Sequence, residues 1–329
     1  MKHLLFATLG LVPLAAGPAL ADTVRLDLAN EYSATSLVGL ADQDFIDRVA
    51  ELSGGTIEVT PHFGGALGFR SRDHFDAVGD GAIPIAGTFT GVFTGIDPVF
   101  ALSSMPFQAP TFDAARAMYD AARPAYAEVF AEAGQKLLYA APYTPTGIWA
   151  DRALEDLAAF EGLKIRTYDA AGVEVLSQVG AAPIQLSWAD TVPQLTTGGI
   201  DAVLTSDESG IAGSLWEHLS HFNVVPYSVA INMTHMNLDV FESLTTEQQD
   251  AVEGAAQAAE EAAWQRAAER VASNAEVLDA EGVIVVTPSA ALVAELQAAG
   301  DQVLAGWLEE MGPRGEAIMA DYRAAIGAE

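Results

Sequence analysis

The chain has 329 residues, half of them apolar, with 45 acidic against 15 basic side chains and a formal net charge of −30. That charge repels phosphate over most of the surface, so nucleic acid is excluded as a general partner and adhesion to anionic lipid is disfavoured. Cysteine is absent, which removes disulfide staples and a thiol nucleophile, and the length suffices for two lobes with separate cores.

Residues 1–21 read as a secretory signal peptide. Lys2 and His3 are followed by an apolar run from Leu4 to Ala16 and a small-residue cleavage site at Ala19-Leu20-Ala21. The run is too short and too broken to span a membrane, and no later segment approaches ~18 uninterrupted apolar residues. An exported, soluble chain beginning near Asp22 is the expectation.

Val24, Leu26 and Leu28 alternate with polar residues, as in a strand that ends at Asn30-Glu31-Tyr32. Leu37, Leu40, Ala41, Phe45, Val49 and Leu52 then share one helical face, and Gly54-Gly55 stops that helix. A strand over 56–63, a short helix reaching Asp80-Gly81 and a strand over 82–87, ending at Thr88-Phe89-Thr90, complete a β-α-β-α-β series. Such alternation predicts an α/β fold with a mostly parallel sheet under helical cover. After a proline-marked loop over 96–110, residues 112–133 are helical, with a kink or break expected at Pro124. A strand at 137–140 follows, and beyond Pro142 and Pro145 the segment Gly147-Ile148-Trp149 leads into a second lobe.

That lobe repeats the alternation: strand 163–166, helix 170–179, strand 184–186, helix 188–197 and strand 200–204. Val224 to Ile231 is an extended return towards the first lobe. Thr245 and Gln248 form a capping box before a helix over roughly 246–279, which at 1.5 Å per residue spans ~50 Å, enough to cross both lobes. Gly254 is a weak point within it. A strand at 283–287 and helices around 291–298 and 302–311 finish the chain.

Catalytic patterns are missing. The sequence holds no G-x-S-x-G elbow, H-E-x-x-H or P-loop. His218 and His221 follow Glu217 at helical spacing, a pattern more often a helix end than a metal site, so neither metal nor cofactor is assigned. Arg166 is conspicuous in so acidic a chain. It ends a short strand, where α/β folds open a crevice, and its guanidinium can grip a carboxylate with two parallel hydrogen bonds. A surface ion pair is the competing reading. Tyr32, Phe89, Tyr143, Trp149, Tyr168 and Trp188 also sit at loop and strand ends. Each alone reads as core, but together they could line a cleft around Arg166.

At these residues the chain resembles the substrate-binding subunits of tripartite ATP-independent periplasmic (TRAP) transporters, the DctP family, over the whole mature length. The strongest match runs from Leu157 through Arg166 and from Gly180 through Trp188 and Asp201 to Val203. Supporting matches are Leu67-Gly68 with Asp80-Gly81, Met105-Pro106-Phe107, and Phe241 to Gln249 before the long helix. The resemblance implies a two-lobe periplasmic-binding-protein-like fold with a long helix spanning both lobes. Lobe I is expected over 22–145 plus about 231–270, and lobe II over 146–230 plus about 271–329. It further implies that Arg166 pairs with a ligand carboxylate, that Trp188 is an aromatic wall, and that Thr205 lies near a second carboxylate contact. Asn30, Arg70 and Phe89 fall near ligand-facing positions of the first lobe, and Trp149 and Tyr168 join the aromatic wall. Thr205 and Phe89 depart from the sialic-acid branch, which argues against that ligand.

The expected role is capture of a small organic acid anion in the periplasm and delivery to TRAP membrane permease subunits. The aromatic wall favours an aromatic or apolar monocarboxylate, with a sugar acid or a C4-dicarboxylate as alternatives. An exported hydrolase is the competing class, and it lacks a visible nucleophile–base pair.

Overall fold

In the computed structural model, which describes residues 23–327, the alternating apolar stretches assemble into two mixed sheets joined by two extended crossings and one long helix. Residues 1–21, expected from the sequence to be a signal peptide, lie outside the described residues. The first half contains β1 (Val24–Asn30), α1 (Leu37–Leu52), β2 (Ile57–His62), α2 (Ser71–Gly79), β3 (Ile85–Phe89), α3 (Phe112–Glu132) and β4 (Gln135–Pro142). The middle contains β5 (Thr146–Ala150), β6 (Lys164–Thr167), α4 (Ala170–Gln178), β7 (Ala182–Gln185), α5 (Trp188–Thr196), β8 (Ala202–Ser206), α6 (Asp207–Ala212) and β9 (His221–Asn223). The remainder is β10 (Ile231–Asn237), α7 (Leu238–Glu242), α8 (Thr246–Ala280), β11 (Ile284–Val286) and α9 (Ala290–Ile326).

The first sheet has the order β2-β1-β3-β10-β4 and the second β11-β9-β5-β8-β6-β7. The βαβ units supply parallel pairs, β1 with β2 and β3, and β6 with β7 and β8. The strands that carry the chain across run against them: β10 is antiparallel to β3 and β4, and β5 to β8 and β9. The two crossings pair with each other, Tyr143 donating its N–H to the Ala230 carbonyl (2.9 Å) and Thr146 to that of Ser228 (2.8 Å).

Helix α8 begins with the capping box expected from its sequence, Thr245 and Gln248 each bonding the other's backbone. Its 35 residues bury a run of alanines, among them Ala251, Ala255, Ala259, Ala263 and Ala267, so the helix lies close along α1. Gly254 does not interrupt it, and α3 continues through Pro124. The terminal segment differs from expectation. It is a 37-residue helix with a break at Gly312 (φ 55°), and it packs on α3 and on a 3-10 turn at 98–103 as well as on α4. Trp307 donates to the Pro98 carbonyl (2.6 Å), Arg314 pairs with Asp97 (2.8 Å), and the Tyr322 hydroxyl donates to the Gln108 carbonyl. These three anchors lie at residues 97–108, while the α4 contact lies in the stretch grouped by the sequence reading with about 271–329 as lobe II.

Candidate ligand-binding site

The carboxyl ends of β1, β3, β6 and β8 converge between the sheets on a small chamber with about 20 Å³ of open space, lined by Tyr32, Phe89, Tyr143, Thr146, Arg166, Tyr168, Trp188, Thr205, Ser206, Ser209 and Ala230. Arg166, Tyr168, Trp188, Phe89 and Tyr32 also border an outer chamber of about 310 Å³, whose wall adds Glu31, Ser71, Arg72, Gln185 and Ser187. The aromatic rings therefore form a neck between the two.

Arg166 is the centre of the inner chamber and is only 3% exposed. Its Nε donates to the Leu186 carbonyl (3.0 Å) and its Nη1 reaches that of Leu204 (3.4 Å), which fixes the plane of the guanidinium without neutralising it. The rings of Tyr168 and Trp188 flank it at 5.8 and 5.7 Å, a cation–π arrangement. Among the described residues no carboxylate lies within ion-pair distance of it. Burial pushes its pKa down from the usual guanidinium value, against the opposing fields of Tyr32 and Glu31. A buried, unpaired cation is costly, and an incoming anion relieves that cost.

Around it the walls are flat and the hydroxyls are protonated. Phe89 meets Tyr168 edge-on (5.1 Å), and Tyr32 stacks on Trp188 (6.4 Å, 30°) and meets Tyr143 edge-on (5.7 Å). Burial raises the Tyr32 hydroxyl to about 12 and holds Tyr143 well above 10. The Tyr143 hydroxyl, in the chamber wall beside Tyr32, has no geometric hydrogen-bond partner among the described residues. Thr146, Thr205, Ser206 and Ser209 add hydroxyls on the lobe II side. No histidine or carboxylate is among the inner lining residues, so none of these hydroxyls has a base beside it there.

Five of the eight residues singled out from the sequence meet here: Arg166, Trp188, Thr205, Phe89 and Tyr168. Three do not. Trp149 is wholly buried on the opposite face of β5, packed on Phe222 (5.3 Å) with its indole N–H on the Ser206 carbonyl. Strand parity decides this, because Thr146 faces the chamber and a residue three positions on must face away. Asn30 is consumed inside the first lobe, donating to Asp42 (2.6 Å) and accepting from the Tyr32 N–H (2.8 Å). Arg70 borders neither chamber; its guanidinium faces Glu31 (3.8 Å) and Asp190 (3.4 Å). Tyr32 and Tyr143, which the sequence reading grouped with the strand-end aromatics around Arg166, line the inner chamber. The residues that it passed over are Thr146, Ser206 and Ser209, together with Glu31, which directly follows Asn30. His218 and His221, read from the sequence as a helix end rather than a metal site, do not share a helix: His218 caps a 3-10 turn and His221 begins β9.

Comparison with known proteins bears on this geometry. The family model described as bacterial extracellular solute-binding protein, family 7 (DctP) matches residues 28–310. A crystal structure of DctP6, a Bordetella pertussis extracytoplasmic solute receptor binding pyroglutamic acid, superposes with a TM-score of 0.89 at 28% identity, covering 92% of this chain and 100% of that one. A TRAP solute-binding protein from a marine metagenome, specific for pyroglutamate, gives 0.89 at 27% identity over 92% and 99% of the two chains. The ectoine-binding periplasmic protein TeaA of Halomonas elongata is 26% identical over 230 residues, 66% of this chain and 64% of that protein.

Proposed function

The chain belongs to the bacterial extracellular solute-binding proteins of family 7, the DctP family, and from that premise we propose that this TRAP receptor captures a small cyclic monocarboxylate for its permease. The observation that carries the reading is Arg166, a buried guanidinium held flat by backbone carbonyls, flanked by two rings and without a carboxylate partner. The ligand carboxylate takes the remaining N–H groups of Arg166, and its ring lies among Phe89, Tyr168 and Trp188. Tyr32, Tyr143 and the threonine and serine hydroxyls read its polar edge. Pyroglutamate is the first candidate because two receptors at 27–28% identity carry it.

Two other ligand classes are weighed by the same residues. A C4-dicarboxylate needs a second cation, and Arg70 is engaged by Glu31 and Asp190 outside the chamber. A hexuronate would draw on the wall's hydroxyls, those of Tyr32, Tyr143, Thr146, Tyr168, Thr205, Ser206 and Ser209, and it stays an alternative. A hydroxybenzoate fits the flat walls and is the second reading. We further propose that the two sheets mark two lobes that close over the ligand, hinged at 143–149 and 225–231, with the terminal helix riding mainly on the first lobe. Side-by-side calorimetric titration with pyroglutamate, a hydroxybenzoate, a hexuronate and a C4-dicarboxylate tests the ligand class. Tight binding of a ring monocarboxylate is expected. Tight binding of the dicarboxylate alone would overturn it.

A further inference from the structure

We infer that Glu31 is a closing latch, a lobe I carboxylate that docks on the start of α5 when the cleft shuts. This rests on the lobe closure proposed above and adds the contact that holds it. Glu31 directly follows β1 and is 4% exposed. One oxygen, Oε2, accepts the N–H of Ser71 (2.9 Å), the first residue of α2. The other, Oε1, accepts the N–H of Ala189 (3.2 Å), the second residue of α5. The two helices lie with different sheets: α2 packs beside β3, and α5 runs between β7 and β8. One buried carboxylate therefore joins two helix N-termini across the cleft, and each terminus presents unpaired N–H groups and a partial positive charge.

A second set of contacts crosses in the same place. Arg70 stands 3.8 Å from Glu31 and 3.4 Å from Asp190, so the ion chain Glu31–Arg70–Asp190 spans the gap beside the two N–H bonds. Next along the chain, Tyr32 stacks on Trp188. Residues 31–32 thus face residues 188–190 as a unit, and Trp188 is the residue that covers Arg166. A ligand that seats Trp188 against Arg166 brings the Ala189 N–H onto Glu31. The Ser71 contact caps α2 whether the cleft is open or shut; only the Ala189 and Asp190 contacts depend on closure.

The test uses the absence of cysteine, which leaves any introduced pair of thiols unique. Spin labels at Asp76→Cys on α2 and Thr196→Cys on α5, both exposed positions, report the distance across the cleft. It is measured in the full mature chain, ligand-free and with excess pyroglutamate. Glu31→Gln keeps the side-chain size and removes the charge. It is expected to shift the ligand-free population to longer distances and to weaken pyroglutamate binding roughly tenfold, the order set by one charge-assisted hydrogen bond. Asp190→Asn, which borders neither chamber, is expected to act in the same direction and less strongly. Retained exchange protection of the Ser71 amide in Glu31→Asp, against lost protection in Glu31→Ala, checks that α2 remains intact where the carboxylate remains. Distance distributions of Glu31→Gln that match the parent in both conditions overturn the latch. If the parent does not respond to pyroglutamate but Glu31→Gln still opens, the latch stands and the ligand assignment fails.

Discussion

Arg166 earns its place through what does not touch it. Its fixed contacts are neutral carbonyls and aromatic faces, so on the proposed reading its positive charge stays available to a ligand carboxylate. Arg166→Ala removes that charge and leaves the ligand anion unpaired. Truncation of one partner of a buried charged pair costs about 2–5 kcal/mol, so affinity for the best-bound acid should fall roughly 30-fold to several thousand-fold. Arg166→Lys should recover part of the loss, since a point charge lacks the planar fork. Calorimetry on the two variants checks both, and an alanine variant that binds like the parent would remove Arg166 from the site. The arginine was legible in the sequence because it ends an alternating strand in a chain poor in cations. Trp149 was misplaced because composition at a strand end does not reveal face; only the register of Thr146 against Ser206 does. Asn30 was displaced by its own neighbours, since the buried carboxylate of Asp42 captures its amide and leaves Tyr32 to reach the chamber. Side-chain pairing between residues far apart in sequence is what one strand pattern cannot show.

At the level of elements, the wall of the site depends on how closely α5 approaches α6. A Cβ added at Gly213 would lie 2.8 Å from Cζ2 of Trp188, so the indole rests against the bare backbone at the end of α6. Gly213→Ala forces the ring to move, and its free side is the chamber. Overpacking on this scale costs about 1–3 kcal/mol, which predicts binding weaker by roughly five- to a hundredfold with little change in fold, because the backbone there is ordinary (φ −96°). Tryptophan fluorescence and titration of the best-bound acid read the effect; unchanged affinity would show that the indole yields in another direction. Elements with strong local signals were read well from sequence, notably α1 with its Gly54-Gly55 stop and α8 with its capping box. The terminal helix was not. Gly300 looks like a stop, yet it sits inside α9 because the ring of Phe107 and the Pro106 carbonyl occupy the space a side chain would need. That contact joins residues far apart in sequence and leaves no periodic trace.

For the molecule as a whole, the two-lobe architecture was legible because alternating strands and helices, two extended crossings and one long helix admit few arrangements. The balance of its buried charges was not, and it leads to a pH prediction. His74 and His235 are buried at the two ends of a hydrogen-bonded chain through Thr88, and burial lowers His74 to about 4 and His235 well below 6.5. Their contribution to stability is present above about 6.5 and is lost as pH falls towards 4, because the unfolded chain takes up the protons first. Asp42 and Asp169 oppose them. Burial raises each to about 6 despite their hydrogen bonds, so their contribution is full below about 3.8 and is lost as pH rises through 6. Asp207 and Glu208, which burial also raises, act in the same direction as these aspartates, so as pH falls from 7 to 5 the buried acids oppose the two histidines. The melting temperature of the parent should therefore change less over that range than the histidines alone would make it. Asp169→Asn removes one acid without breaking its contacts, since an amide can still accept from the Gly172 N–H and donate to Ser104, the two partners that Asp169 has now. The variant should exceed the parent in stability at pH 7. A group titrating at about 6 when folded and 3.8 when unfolded changes stability by about 1.3 kcal/mol between pH 7 and 5, so the advantage should shrink by that amount as the histidine slope is exposed. Denaturant titrations of both proteins at pH 7 and 5 measure the difference, and an advantage that is constant with pH would show that Asp169 is ionised throughout.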